Sequence, residues 1–121
     1  MTAQCAEQLT VEPRATSPEG AVVLAVVGDL VVSNMSLLER GVDEALDAGA
    51  RRVVLDLSGL GHVDTPGLGL FYRLHRRCEG VGGEFAVAGL PERFSDLIRK
   101  LHLDEPVRFV RSVEEAERPS R

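Results

Sequence analysis

Two short apolar runs, both rich in β-branched residues, limit the folds open to this chain. Ala21 to Val27 is apolar at every position, and Arg52 to Leu57 (R-V-V-L-D-L) is apolar at four of six. Runs of this kind are typical of strands that are buried on both faces of a sheet. An amphipathic helix is predicted between the two strands from residues at i, i+4, i+7 and i+8: Leu38, Val42, Ala45 and Leu46. The chain is therefore expected to form a sheet covered by helices.

Local signals mark where these elements begin and end. Gly28-Asp29-Leu30 is expected to end the second strand. Ser36 and Glu39 have the spacing of a capping box, in which each side chain meets a free backbone N–H at a helix start. Gly49 stands where a helix C-cap glycine is expected.

The remaining predicted elements also alternate between strands and helices, after an N-terminal strand. Leu9 to Arg14 alternates and predicts an edge strand, because Pro13 cannot donate to a ladder. The turn-rich stretch Thr16–Gly20 would join it to the next strand as a hairpin. Downstream we predict a helix at about Pro66–Glu79, a strand at Glu84–Ala88, a helix at Pro91–Leu101, a strand at Val107–Val110 and a last helical turn or two within Ser112–Glu117. The predicted fold is one α/β domain with a mixed β-sheet of about five strands, an N-terminal hairpin followed by alternating helices and strands.

Composition and charge narrow the classes of function. With 121 residues the chain suits one domain, predicted over residues 9–113, with a mobile segment at 1–8 and a tail at 114–121. A net charge of −5 disfavours generic binding to nucleic acid or anionic lipid. The N-terminus lacks the features of a signal peptide, and no apolar run is long enough for membrane insertion. A cytoplasmic protein is expected.

Few side chains form a recognisable set for catalysis. Cys5 and Cys78 do not make a metal site, and the three histidines show no metal spacing. Cys78 fits an apolar stripe with Phe71 and Leu74, so we interpret it as a small core residue, although a redox switch with Cys5 stays open. No nucleophile–base pair, P-loop or paired carboxylates are present. We predict no enzyme activity and no cofactor.

The most informative segment runs from Val53 to Gly69 (V-V-L-D-L-S-G-L-G-H-V-D-T-P-G-L-G). A buried strand enters a loop, and the loop brings an acidic residue, a hydroxyl residue and two glycines to a helix start. A helix N-terminus has free N–H groups and a partial positive charge, so it favours anions. Glycines there let another backbone or a ligand approach closely.

The segment resembles the STAS family, whose best-known members are bacterial anti-sigma factor antagonists. Asp64-Thr65-Pro66-Gly67-Leu68-Gly69 matches the family pattern Asp-Ser-Ser-Gly-Leu-Gly at four of six positions, and Thr65 is a conservative fifth. Leu55 to Gly59 is similar to the family's strand, and Gly28-Asp29-Leu30 to its Gly-Glu-Leu-Asp turn. The resemblance covers roughly Leu9 to Val113.

The resemblance implies a switch. In antagonists of this kind, an anti-sigma factor that is also a serine kinase phosphorylates the hydroxyl residue directly before the first glycine. The unphosphorylated form binds the anti-sigma factor and frees the sigma factor, so transcription changes. Phosphate breaks that contact through charge repulsion and desolvation.

Two residues depart from the family pattern. Pro66 occupies the acceptor position and has no hydroxyl, and Val31 stands where the turn would place its aspartate. Thr65 is open to two interpretations, an N-cap in front of Pro66 at N1 or a shifted phosphoacceptor. Asp64 is either an alternative cap and loop anchor or part of a partner-contacting surface.

The resulting hypothesis is an anti-sigma factor antagonist that docks through Gly61–Gly67 and the following helix, with Gly28 and Asp29 as a supporting turn. Its expected partner is an anti-sigma factor and serine kinase. Two alternatives keep the fold: a STAS docking subunit of a membrane lipid-transport ATPase complex, and a ligand-binding STAS scaffold. Whether the protein forms a homodimer stays open.

Overall fold

A five-stranded mixed sheet forms the frame of the protein. The computed structural model describes residues 9–16 and 20–117. In chain order the elements are β1 (Leu9–Thr16), β2 (Ala21–Leu30), α1 (Met35–Asp47), β3 (Arg52–Val63), α2 (Thr65–Gly80), β4 (Glu84–Ala88), α3 (Ser95–Lys100), β5 (Arg108–Val110) and α4 (Val113–Glu117). The strands lie in the order β1-β2-β3-β4-β5, with β1 antiparallel to β2 and every other pair parallel. The predicted mixed α/β sheet is confirmed.

The two apolar runs form the centre of the sheet, where both faces are covered. Successive strand residues point to opposite faces, so the side chains of each run pack into two separate cores, one on each face of the sheet. On one face, strand residues such as Leu24 and Leu55 pack against α1, α2 and α3, and α2 contributes Phe71 to this core. The other face packs small residues such as Val54 and Ala86 under α4. This double coverage explains why β2 and β3 read as continuous apolar stretches.

The strands extend further than the sequence predicted. β2 continues to Leu30 and β3 to Val63, because the parallel ladder carries on to the pair Leu30–Val63. Gly28-Asp29-Leu30 forms the last three residues of β2, so the strand ends with this segment, as predicted. Gly28 has a φ of 115°, and the register of the pair shifts directly after it. The predicted turn at Thr16–Gly20 lies largely outside the described residues, since 17–19 are not among them.

Most helix predictions are confirmed, with one clear exception. The helix predicted at Pro66–Glu79 is α2, one residue longer at each end, and its stripe of Phe71, Leu74 and Cys78 is buried. The helix predicted at Pro91–Leu101 begins later than predicted, whereas its end is within one residue of the prediction. Pro91 keeps an extended backbone (ψ 141°), so a 3₁₀ turn at Glu92–Phe94 comes first and α3 is only six residues long. Leu101, the residue directly after α3, is exposed.

The predicted capping box at Ser36 and Glu39 is also wrong. A 3₁₀ turn at Val32–Asn34 precedes α1, so the helix begins at Met35 and Ser36 already lies within it. Asn34 instead organises this entry from a buried position. Its Oδ1 accepts from the Val31 N–H at 3.0 Å, and its Nδ2 donates to the Asp29 carbonyl at 2.9 Å.

Replacing Asn34 should therefore be costly where replacing Ser36 is not. Asn34→Ala removes both hydrogen bonds and is expected to lower the free energy of unfolding by about 1–2 kcal/mol. Ser36→Ala is the matched control and should change it by less than about 0.5 kcal/mol. Urea unfolding followed by circular dichroism measures both. An equal loss in the two variants would restore Ser36 as the cap.

Candidate functional site

The predicted site residues meet at the carboxyl ends of β2 and β3. Because these strands are parallel, both deliver their last residues to the same edge of the sheet. Asp29 pairs with His62, and the Asp64 N–H donates to the Leu30 carbonyl at 3.1 Å. Gly28 and Asp29 thus lie beside the segment that enters α2, as the supporting-turn hypothesis requires.

The two helices that leave this edge run side by side. Arg73 of α2 contacts Glu39 of α1 at 3.4 Å, and Arg77 contacts Asp43 at 2.9 Å. Both pairs are separated by 34 residues in sequence, which is also the separation of Leu30 and Asp64. A constant offset means that α1 and α2 are parallel and in register. By this offset the start of α1 lies level with Gly69, one turn into α2.

The start of α2 differs by one residue from the prediction. Asp64 is the N-cap residue, with an extended backbone (φ −79°, ψ 162°), and the Leu68 N–H donates to its carbonyl at 3.0 Å. Thr65 is thus the first helical residue, and Pro66 follows inside the first turn. The prediction that Thr65 is an N-cap is wrong, because the ladder bond to Leu30 holds Asp64 extended until the helix begins. The Thr65 side chain is exposed.

Asp64 caps the helix with its backbone only. Its side chain makes no hydrogen bond to the first turn and instead lies 3.0 Å from Nε2 of His62. A carboxylate near a helix N-terminus is still favoured by the helix dipole. Asp64 therefore contributes negative charge to the edge that also carries Asp29, and His62 partly offsets it when protonated.

The two glycines of the motif do different things. A Cβ on Gly67 would lie 2.8 Å from Cγ2 of Val63 and 3.2 Å from Cγ of Leu30, so this position is closed by the protein's own core. A Cβ on Gly69 would meet nothing within 4 Å. Close approach by an external partner is thus possible at Gly69, whereas Gly67 is required for internal packing.

An exposed apolar strip completes the surface, and the sequence did not predict it. Val32, in the 3₁₀ turn that precedes α1, is 64% exposed. Pro66 is also exposed, and Val32 and Pro66 each lie two residues after the hydrogen-bonded pair Leu30 and Asp64. Leu37 is 40% exposed but lies one helical turn before Gly41, whose Cβ position faces Val11, so it is on the flank of α1 away from α2. We call the surface formed by Val32, Pro66 and Gly69 the apolar strip.

The other candidate side chains are remote from this edge or structural. Asp56 accepts from the backbone N–H of Ser58 at 3.1 Å and from its hydroxyl at 2.9 Å, so it holds a turn in its own strand. Cys78 is buried, and that burial raises the pKa of its thiol to about 11, which disfavours the reactive thiolate. Cys5, its suggested redox partner, lies outside the described residues.

Two searches of the described residues gave negative results. Over 9–16 and 20–117, no group of three or more His, Cys, Asp and Glu side chains could hold a metal ion. Within the same residues, none of the helices has the length and apolar character needed to cross a membrane.

Comparisons with known proteins agree with this arrangement. A family model described as STAS domain matches residues 12–116. A protein of Thermotoga neapolitana that carries the name of an anti-sigma factor antagonist (TM1081 homologue) is 29% identical over 99 residues, 81% of this chain and 88% of that protein. The NMR structure of TM1081, a Thermotoga maritima protein, has a TM-score of 0.73 at 25% identity and covers 84% of this chain and 82% of that one. An anti-sigma factor antagonist from Mycobacterium paratuberculosis shows the same fold, with a TM-score of 0.74 at 19% identity over 96% of this chain and 95% of that one.

Proposed function

Since the chain belongs to the STAS domain family, we propose that it is an anti-sigma factor antagonist that binds a protein partner through the joined starts of α1 and α2. The observation that carries this proposal is the apolar strip next to Gly69. Exposed apolar residues grouped on one surface are typical of protein interfaces. The open space over Gly69 would let a partner backbone approach the helix closely.

The proposed partner is an anti-sigma factor of the serine kinase type. Binding it would release a sigma factor and so change transcription in the cytoplasm. Because Pro66 has no hydroxyl, we propose that the protein stays competent to bind when the kinase is active. Thr65 is exposed one residue earlier and remains a proposed, shifted acceptor.

Isolation of the protein from its host, followed by mass spectrometry of the proteins that come with it, tests the partner. Recovery of an anti-sigma kinase supports the proposal. Gly69→Glu should then reduce the affinity at least about tenfold, since it puts a charged side chain into the proposed contact without an internal clash. Gly80→Glu is the matched control, because Gly80 lies at the other end of α2 and also has nothing within 4 Å of its Cβ position. Equal affinity of the two variants would contradict the proposed surface.

A second candidate is a docking subunit of a membrane lipid-transport ATPase. Pro66 favours it, because such a subunit has no need of a phosphorylatable residue at this position. The same isolation separates the two. Recovery of a transport ATPase without any kinase would refute the antagonist proposal and support the docking subunit.

A further inference from the structure

The end of β3 that leads to the candidate site lacks a neighbouring strand on one side. β3 has twelve residues, whereas β4 has five, and their pairing ends at Asp56 and Ala88. Residues 57–63 therefore extend past the end of β4. Backbone groups at an open strand edge need another partner, either water or a side chain.

One side chain reaches across this gap. Arg93, in the 3₁₀ turn that follows β4, donates from Nη2 to the carbonyl of Gly61. The two residues are 32 positions apart in sequence. The guanidinium carbon of Arg93 also lies 4.8 Å from the centre of the Phe94 ring, a distance suited to a cation–π contact. Arg93 is thus held on its own turn while it binds the strand.

Gly61 is confined from the opposite side as well. A Cβ at this position would lie 2.8 Å from Oδ1 of Asp29. The pairing with β2 runs from Gly28–Leu60 directly to Asp29–His62, so Gly61 is the extra residue at a shift of register. Such a bulge interrupts the ladder and redirects the strand. The orientation of the last three residues before α2 therefore depends on how Gly61 is held.

From these contacts we infer that Arg93 is a positioning residue for the docking site. It takes the place of the missing strand, fixes the Gly61 carbonyl, and so sets the direction in which β3 delivers Asp64 and the first turn of α2. An arginine suits this task because its planar fork can donate to a carbonyl while its flat face rests on an aromatic ring. A lysine ammonium is a hydrated point charge without that face. The inference rests on the proposed function only for its effect on partner binding.

Amide hydrogen exchange tests the positioning without any partner. In Arg93→Ala, exchange over residues 57–63 should become about tenfold faster, the size expected for losing a hydrogen bond to a charged donor. Arg93→Lys should recover only part of the protection. Arg99→Ala is the matched control, since Arg99 is an exposed arginine nearby that contacts Asp96 and not the strand. The melting temperature should fall by only a few degrees in Arg93→Ala and stay unchanged in Arg99→Ala. Amides elsewhere in the sheet that exchange through other local openings should keep their rates in all three variants.

Two results would overturn the inference: unchanged exchange over 57–63 in Arg93→Ala, or faster exchange spread evenly over the whole sheet. Partner affinity is the second measurement, and we expect about a tenfold loss of affinity in Arg93→Ala and none in Arg99→Ala. Local loosening without that loss, measured on a recovered anti-sigma kinase, would also overturn it. If the local effect appears but the recovered partner is not an anti-sigma factor, the proposed function fails and the positioning role stands.

Discussion

Gly67→Ala is expected to lower the free energy of unfolding by about 2 kcal/mol, whereas Gly69→Ala raises it by about 0.5–1 kcal/mol. Both changes add one methyl group to the first turns of α2. At Gly67 the methyl group would come within 2.8 Å of Val63 and 3.2 Å of Leu30, so the helix start must move away from the ends of β2 and β3. At Gly69 it meets nothing within 4 Å, and only the gain from replacing a helical glycine remains.

Denaturant unfolding of the two variants measures this contrast directly. The same pair separates stability from binding. Gly69→Ala should bind the partner less well although it is the more stable protein, because its methyl group occupies the proposed approach. The main effect of Gly67→Ala should instead be the loss of stability. Equal changes in unfolding free energy for both variants would show that the two glycines are equivalent and would contradict the assignment of Gly67 to internal packing.

The sequence was informative where one physical effect dominates and weak where two compete. The apolar runs of β2 and β3 identified the sheet correctly, since burial on both faces leaves only one kind of residue at each position. The start of α1 was misplaced, because the Ser36–Glu39 spacing is a local signal. The long-range requirement was to join the end of β2 to the helix, and Asn34 meets it through contacts with Val31 and Asp29.

The candidate site shows the same division. The motif at 64–69 correctly indicated a helix start at a strand end, yet it could not separate the roles of Gly67 and Gly69. That difference depends on Val63 and Leu30, which approach Gly67 only after β2 and β3 have paired. Arg93 could not be identified at all from spacing, because its contact joins residues that are distant in sequence and are brought together by the short length of β4.

Pro66→Ser is expected to convert the protein into a substrate of its partner kinase and to make binding sensitive to ATP. The variant places a hydroxyl at the exposed position directly before Gly67, where the family pattern has its acceptor. Once phosphorylated, it should bind the partner at least about 100-fold more weakly, since like-charge contacts at an interface cost several kcal/mol. The new charge, close to −2, would lie two residues from Asp64 and inside the apolar strip.

Calorimetric binding to the kinase, with and without ATP, measures the switch, and mass spectrometry locates the phosphate. Pro66→Ala is the matched control and should keep its affinity in the presence of ATP. The double variant Thr65→Ala, Pro66→Ser should still be labelled, because the acceptor is the new serine. Labelling of the unaltered protein at Thr65 would show that the acceptor has shifted by one residue. If Pro66→Ser stays unmodified while an antagonist with serine at this position is labelled by the same kinase, then Pro66 is not what separates this protein from a switched antagonist, and the proposed account of the site is wrong.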